Sequence, residues 1–273
     1  MNIGLIGFGK MGKLLEAKAL EKGHKTLAIV DPFITGEKSP LGTPVFKSMD
    51  GLTGLLGKLD IAIVFSPPQT AVENLRFLAK AKIPTVVGTT GWYDKLPEIS
   101  AAVKEAGTSL FWAPNFSLGM NLFYRIAAYA AEAFDPFSEY DVGGVEIHHH
   151  KKADSPSGTA KVIAERMLKK MSRKKKAVYD KLDGPPGVDE LHFASLRVGT
   201  VEGIHSVIFD SPADTIELSH TLRNRDGLVA GTLQAAEWLC NEKRSGVFTM
   251  DDMLTDIILQ SSHDILKDTL YRR

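Results

Sequence analysis

A short apolar run, Asn2–Ile6, leads directly into Gly7-Phe8-Gly9-Lys10-Met11-Gly12, and this junction constrains the fold more than any other stretch. Helical periodicity follows through Leu14, Leu15, Ala17, Ala19 and Leu20. Gly23 closes that helix, and Thr26–Val30 forms a second strand ending in Asp31-Pro32. The segment reads as a βαβ unit. Three spaced glycines alone are a weak signal. Here they follow a strand, open a helix and precede a carboxylate 19 residues beyond Gly12, the arrangement a dinucleotide-binding unit needs. The glycines permit a tight turn and close approach of a pyrophosphate, while Asp31 can accept hydrogen bonds from ribose hydroxyls. A tight turn that binds nothing would not require that whole context.

The alternation of strand and helix continues. Asp60–Phe65 is a buried strand, Ala71–Ala81 a helix, Thr85–Val87 a strand, Leu96–Glu105 a helix and Ser109–Trp112 a strand. These strands end in Ser66-Pro67-Pro68, Gly88-Thr89-Thr90-Gly91 and Ala113-Pro114-Asn115-Phe116-Ser117. In an open parallel sheet, ligands bind beyond the carboxyl ends of the strands, so these loops are expected to share one crevice with the glycine turn. From Gly119 the pattern changes. A helix over Asn121–Ala133 and a strand over Tyr140–Ile147 precede a Thr159–Met171 helix. Strands over Leu191–Val198, Ser206–Asp210 and Thr215–His220 follow, then helices over Leu228–Leu239 and from Asp251 toward Leu259. The expected class is α/β: a Rossmann-type parallel-sheet domain plus an α+β domain with a mixed or antiparallel sheet. In the latter, Val207 and Phe209 alternate with polar neighbours as on a half-exposed sheet.

Between Glu146 and Ala160 the chain reads Glu-Ile-His-His-His-Lys-Lys-Ala-Asp-Ser-Pro-Ser-Gly-Thr-Ala. A strand ends here and a helix begins, with Ser157 as N-cap. His148, His149, His150 and Lys152 therefore sit on a loop whose far end offers the free N–H groups of Ser157, Gly158 and Thr159 at a positive helix terminus. Such a loop suits a small dianion that must also receive a proton. Three histidines in a row also raise metal binding. Adjacent strand residues point to opposite faces, and no cysteine or acidic pair stands at ligand spacing, so no metal is expected. A solvated polar loop is the remaining bland alternative.

Composition narrows the classes. Lys+Arg and Asp+Glu balance at 33 each in 273 residues, which gives no general attraction to nucleic acid or acidic membranes. The basic run Lys169–Lys176 reads as a solvated helix end. One cysteine, Cys240, excludes an intrachain disulfide and reads as a buried, inert thiol. Without a secretory or spanning apolar stretch, the expectation is a soluble, cytoplasmic protein.

With these pieces in place, the chain resembles the 4-hydroxy-tetrahydrodipicolinate reductase (dihydrodipicolinate reductase) family over nearly its whole length. The glycine fingerprint, Gly-Thr-Thr-Gly at 88–91, Ala-Pro-Asn-Phe-Ser at 113–117 and His-His-x-x-Lys-x-Asp-x-Pro-Ser-Gly-Thr over His148–Thr159 carry the resemblance. Arg197-x-Gly199, Gly203-x-His205 and Arg225 add to it. It implies an NAD(P)H-dependent oxidoreductase of lysine and diaminopimelate biosynthesis, in which hydride transfer is followed by protonation. His148 would donate the proton with Lys152 as its catalytic partner. His149, Lys152, Ser157, Gly158 and Thr159 would hold the two carboxylates of a small substrate. Gly7, Phe8, Gly9, Lys10, Met11, Gly12, Asp31, Gly88, Thr89, Thr90, Ala113, Pro114, Asn115 and Phe116 would contact the cofactor. The nucleotide domain would take residues 1–117 and 226–273. Residues 118–225 would form the substrate and oligomerisation domain of a homotetramer, with closure of the two domains excluding water.

Two departures bear on the cofactor. Pro32 stands where many members carry a basic residue, and Leu228 where an aromatic residue is common. Asp31 suits a ribose diol and opposes a 2′-phosphate, so NADH is expected to be favoured over NADPH, with Lys10 or Lys38 as cations that keep NADPH usable. Two other readings remain: an amino-acid-type NAD(P)-dependent dehydrogenase of similar architecture, and a non-catalytic nucleotide sensor. The sensor would need neither His148 nor Lys152.

Overall fold

A computed structural model describes residues 1–179, 181–242 and 244–270, with side chains through 261. Contacts divide the chain into two units, Met1–Leu118 joined by the segment from Asp226 onward, and Gly119–Arg225.

In the first unit, β1 (Asn2–Ile6), β2 (Lys25–Val30), β3 (Val45–Phe46), β4 (Ile61–Val64), β5 (Thr85–Val87) and β6 (Ser109–Trp112) lie in the order β6-β5-β4-β1-β2-β3. A further strand, Gly246–Phe248, joins outside β6, and every pairing in the sheet is parallel. The strands read as unbroken apolar runs because both faces are covered. On one face Leu15 and Ala19 of α1 (Lys10–Glu21) pack with Val229, Leu233 and Ala236 of the Asp226–Asn241 helix. On the other, Leu75 and Leu78 of α2 (Pro68–Lys80) pack with Ile99 and Val103 of α3 (Leu96–Ala106). The chain leaves β1 in one direction for β2 and β3, then returns to β4 on the opposite side. That reversal puts the topological switch point at the β1 carboxyl end.

Among the elements of this unit that escaped the periodicity are β3, Gly246–Phe248 and a 3₁₀ helix over Met49–Lys58. The 3₁₀ helix carries Gly51, Gly54 and Gly57, one every three residues, which matches its own turn and not the 3.6-residue α period. At Gly51 a Cβ would stand 2.4 Å from the Phe46 ring, so the glycine lets β3 and this helix meet.

The second unit runs α4 (Leu118–Phe134), β7 (Asp141–His148), α5 (Gly158–Leu168), β8 (Lys176–Tyr179), β9 (Glu190–Arg197), β10 (Ile204–Asp210) and β11 (Thr215–Thr221). The sheet order is β11-β10-β7-β9-β8. β10 is antiparallel to both neighbours, whereas β7–β9 and β9–β8 are parallel, so the sheet is mixed. Its inner face, including Val142, Phe193, Val207 and Phe209, packs against Phe123 and Ala127 of α4 and Ile163 and Met167 of α5. This corrects the reading of Val207 and Phe209 as a half-exposed apolar face: both are fully buried, and Phe209 stacks on Phe134 with centroids 4.6 Å apart. The opposite side of the sheet carries half-buried Val145, Ile147, Ala194 and Ile208 and exposed Leu196.

The basic run 169–176 is a solvated helix end only at exposed Lys169 and Lys170. α5 stops at Leu168, Arg173 donates to the Asp135 carbonyl, and Lys174 is buried in an ion pair 2.6 Å from Asp141. Lys176 already begins β8. Among the described residues no helix is long and apolar enough to cross a membrane.

Candidate active site

The glycines of the first loop divide into two kinds. Gly7 has φ +94°, and a Cβ there would lie 2.4 Å from the Phe65 carbonyl oxygen. One on Gly12 would lie 2.4 Å from the Gly7 carbonyl oxygen. Both are demanded by the close approach of β1, β4 and α1, whether or not a ligand binds. Gly9 is different. It caps α1 with no side-chain hydrogen bond, and a Cβ on it would meet nothing within 4 Å. The loop thus leaves open space in front of free helix N–H groups, which is what a pyrophosphate requires.

Asp31 ties this loop to the end of β2. Its Oδ2 accepts from Phe8 N at 2.7 Å and its Oδ1 from Phe33 N at 2.8 Å. Beside it lies a cavity of about 460 Å³ lined by Gly7, Asp31, Pro32, Phe33, Lys47 and Ser66, among others, with Phe33 four-fifths exposed. Of the cations expected near a ribose, Lys10 is exposed, and Lys38 lies in an isolated bridge to Pro44 and does not line the cavity. Lys47, at the end of β3, was missed because that two-residue strand has no periodicity to reveal it.

The remaining cofactor candidates lie along the same sheet edge. Gly7, Phe65, Gly88 and Ala113 each donate an N–H to the last residue of an adjacent strand, namely Val30, Ile6, Val64 and Val87. Thr89 donates its hydroxyl to Ser66 O at 2.8 Å and accepts at its carbonyl from Trp92 Nε1 at 2.8 Å. Thr90 and Pro114 are exposed, and half-buried Met11 packs against the core below the glycine loop. Asn115 Oδ1 accepts from Ser117 N at 2.8 Å. Ala113 and Phe116 are buried. The Phe116 ring lies 5.8 Å from that of Phe111, and its carbonyl oxygen packs against Gly231, where a Cβ would stand only 1.8 Å away.

In the second unit the three histidines take three environments. His148 is buried on the inner face at the end of β7, His149 is half-buried, and His150 is exposed beside the Gly199 carbonyl, with Nδ1 at 2.8 Å. Alternation along the strand also turns Glu146 inward, where it is fully buried. Its Oε1 accepts from Ser157 N, Ser195 Oγ and Arg197 Nη2, each at 2.9 Å. Its Oε2 faces His148 Nδ1 at 3.4 Å and His205 Nε2 at 3.5 Å. Register explains the gathering: Glu146 pairs with Ser195 on β9 and His205 on β10, and His148 pairs with Arg197. The sequence reading passed over Glu146, although its two-residue spacing from His148 placed both on one face.

Ser157 caps α5 as expected, its hydroxyl accepting from Ala160 N at 3.1 Å. Gly158 is exposed with a negative φ, and a Cβ there would meet nothing within 4 Å. Lys152 donates to Asp154 Oδ1 at 2.7 Å. Burial works against charge on Glu146, but the donors gathered around it on His205, Ser157 and Arg197 outweigh that and hold the carboxyl well below its usual range. Burial also pushes the His148 imidazole down to about 4, against the pull of Glu146 and with the push of His205, Lys152 and Arg197. Glu146, His148 and His205 bring potential ligand atoms within 4.8 Å of one another. The Arg197 guanidinium on the same carboxylate already supplies a counter-charge that a metal would have to share.

Family models match both units of the chain. Residues 1–116 match the model described as dihydrodipicolinate reductase, N-terminus, and residues 119–254 its C-terminus. The chain belongs to the dihydrodipicolinate reductase family. The 4-hydroxy-tetrahydrodipicolinate reductase of Christiangramia forsetii is 35% identical, the match covering 94% of this chain and 99% of that one. The enzyme of the same name from Archaeoglobus fulgidus is 32% identical over 90% of this chain and 96% of its own. Among solved structures, a dipicolinate-bound dihydrodipicolinate reductase from Paenisporosarcina sp. TG-14 superposes with TM-score 0.76. It is 22% identical and covers 91% of this chain and 97% of that one, a likeness of fold. The family places the chain among NAD(P)-binding reductases, with the nucleotide fold in the first unit.

Proposed function

We propose that this protein reduces 4-hydroxy-tetrahydrodipicolinate, by way of dihydrodipicolinate, to tetrahydrodipicolinate in lysine and diaminopimelate biosynthesis. The observation that carries this reading is His148, buried against Glu146 at the end of β7, one loop away from the N-terminus of α5, where Gly158 leaves room beside the backbone. The bound dinucleotide supplies the hydride, and the open space at Gly9 in front of α1 fits its pyrophosphate. Gly7–Gly12, Asp31, Gly88–Thr90 and Ala113–Phe116 hold it. Contrary to the expected free N–H, Ser157 has its N–H on Glu146 and its hydroxyl on Ala160 N, so Gly158 and Thr159 take one substrate carboxylate at the positive end of α5, with His149 and Lys152 on the second. Lys152 must exchange Asp154 for that carboxylate.

Loss of water from the substrate gives a conjugated cyclic imine. Hydride addition leaves an electron-rich enamine, and a carbon of that enamine then takes a proton. A neutral imidazole is too weak an acid for this step, and burial holds the His148 pKa down to about 4. A dianion beside it reverses the balance by favouring imidazolium. Substrate therefore charges its own acid, and Lys152 balances charge developing on the ring.

This reaction is tested by mixing the protein with the substrate and NADH and following loss of reduced-cofactor absorbance. Substrate-dependent consumption yielding tetrahydrodipicolinate supports the reading. Turnover of amino acids instead would favour the amino-acid dehydrogenase, and cofactor binding without turnover the sensor. For the cofactor, Asp31 beside a ribose and Pro32 next to it favour NADH, with NADPH accepted through Lys47 or Lys10. Assembly as a homotetramer through the second unit is supported by the apolar outer side of its sheet, with Leu196 and Val198 about half exposed. Light scattering that shows a stable monomer would exclude it.

A further inference from the structure

Glu146 is fully buried and accepts from Ser157, Ser195 and Arg197, yet no step of the reaction above uses it. A fully buried carboxylate is costly unless paired and hydrogen-bonded. Here Arg197 supplies the counter-charge, and the three hydrogen bonds to Oε1 join the loop before α5 and strand β9 to one oxygen. The other oxygen is left over. Oε2 has no hydrogen bond at normal distance, and the same is true of His148 Nδ1, which is buried 3.4 Å away. Two unpartnered atoms, one an acceptor and one able to donate, face each other across a gap that a small shift closes.

We propose that Glu146 is a positioning residue for His148. Its Oε2 accepts the Nδ1 hydrogen, so that the transferable proton resides on Nε2, and its Oε1 fixes the ring relative to the α5 N-terminus. The inference rests on the reductase reading. Nε2 has its own clearance: a Cβ on Gly203 would stand 3.1 Å from it, so glycine at that place keeps this edge of the ring unblocked. His205 is the second ring on Oε2. It meets His148 edge to face with centroids 5.1 Å apart and holds the carboxylate from the β10 side. The charged and titratable groups facing His148 are Glu146 on its own strand, Arg197 on β9, His205 on β10 and Lys152 on the loop. Among these Glu146 is the anion, so it both orients the ring and favours its protonated form.

A brace without a chemical role would show itself as instability alone. The test is therefore the kcat–pH profile of Glu146→Gln and Glu146→Asp, measured with saturating substrate and NADH beside the wild type, together with NADH affinity and melting temperature. For Glu146→Gln the expected result is a fall in kcat of about 10- to 100-fold at neutral pH, the loss typical when the group orienting a functional histidine is removed. NADH affinity stays unchanged. The deficit shrinks as pH is lowered, because without the anion the imidazolium forms only at lower pH. Glu146→Asp, which keeps the charge but falls one methylene short, should lose kcat while keeping the wild-type pH profile. If the Gln variant does not fold, the Asp variant is decisive. A folded variant with wild-type kcat, or a Gln variant whose deficit is independent of pH, overturns the proposal. Absence of turnover by the wild type would instead refute the reductase reading.

Discussion

Gly158→Ala separates ligand recognition from folding more cleanly than any other change at this site. The backbone at Gly158 has no positive φ, and an added Cβ meets nothing within 4 Å, so the free protein gains no clash. Alanine is the better helix residue by up to about 1 kcal/mol, which for a chain of this size raises Tm by at most a few degrees. In the proposed complex a substrate carboxylate displaces Asp154 from the Gly158 N–H, and the added methyl crowds that approach. A hydrogen bond to a charged group contributes about 1.5–3 kcal/mol, so its loss should raise substrate KM by roughly 10- to 150-fold. KM for NADH should not move. Initial rates over a series of substrate concentrations at saturating NADH, with a thermal melt of each protein, measure both effects. Substrate KM within twofold of wild type in a variant that melts normally would refute the placement of a carboxylate here.

Gly9→Ala should behave as the counterpart for the nucleotide, weakening NADH binding about tenfold or more while the fold stays intact. Gly7→Ala and Gly12→Ala should destabilise the protein outright because their Cβ atoms collide with backbone; isothermal titration and melting curves distinguish the two classes. Pro32→Arg should move the kcat/KM ratio toward NADPH by pairing a guanidinium with the 2′-phosphate. Acid stability should report His148. Its folded-state value of about 4 lies below the ordinary 6.5, so the unfolded chain binds more protons between those values, and stability, full above pH 6.5, is lost as pH falls toward 4. The gap corresponds to roughly 3 kcal/mol, and His148→Asn should flatten denaturant-measured stability over that interval.

What the sequence made legible was local. The Asn2–Asp31 unit, the order of strand and helix, and Ser157 as the cap of α5 depend on neighbours within a few residues, where spacing and side-chain chemistry act directly. The catalytic environment was legible in halves. His148 and the α5 N-terminus lie on one continuous loop. Glu146, Arg197 and His205 meet through strand pairings separated by some fifty residues, and no local pattern encodes that register. Glu146 could have been found from its two-residue spacing to His148. Val207 and Phe209 show the converse difficulty. Their alternation identified a one-sided strand correctly, but alternation alone does not say whether helices of the same chain cover the apolar side, as α4 and α5 do. Lys47 and the 3₁₀ helix after it follow a two-residue strand whose edge position only the sheet reveals.

The central claim is that His148 and Lys152 perform the chemistry at a site built for a small dicarboxylate. Its most direct measurement is kcat for substrate-dependent NADH oxidation by His148→Gln and Lys152→Ala, with NADH affinity determined in parallel. A loss of about 100-fold or more is expected in each variant, with NADH affinity unchanged. Near-wild-type turnover in both variants would contradict it.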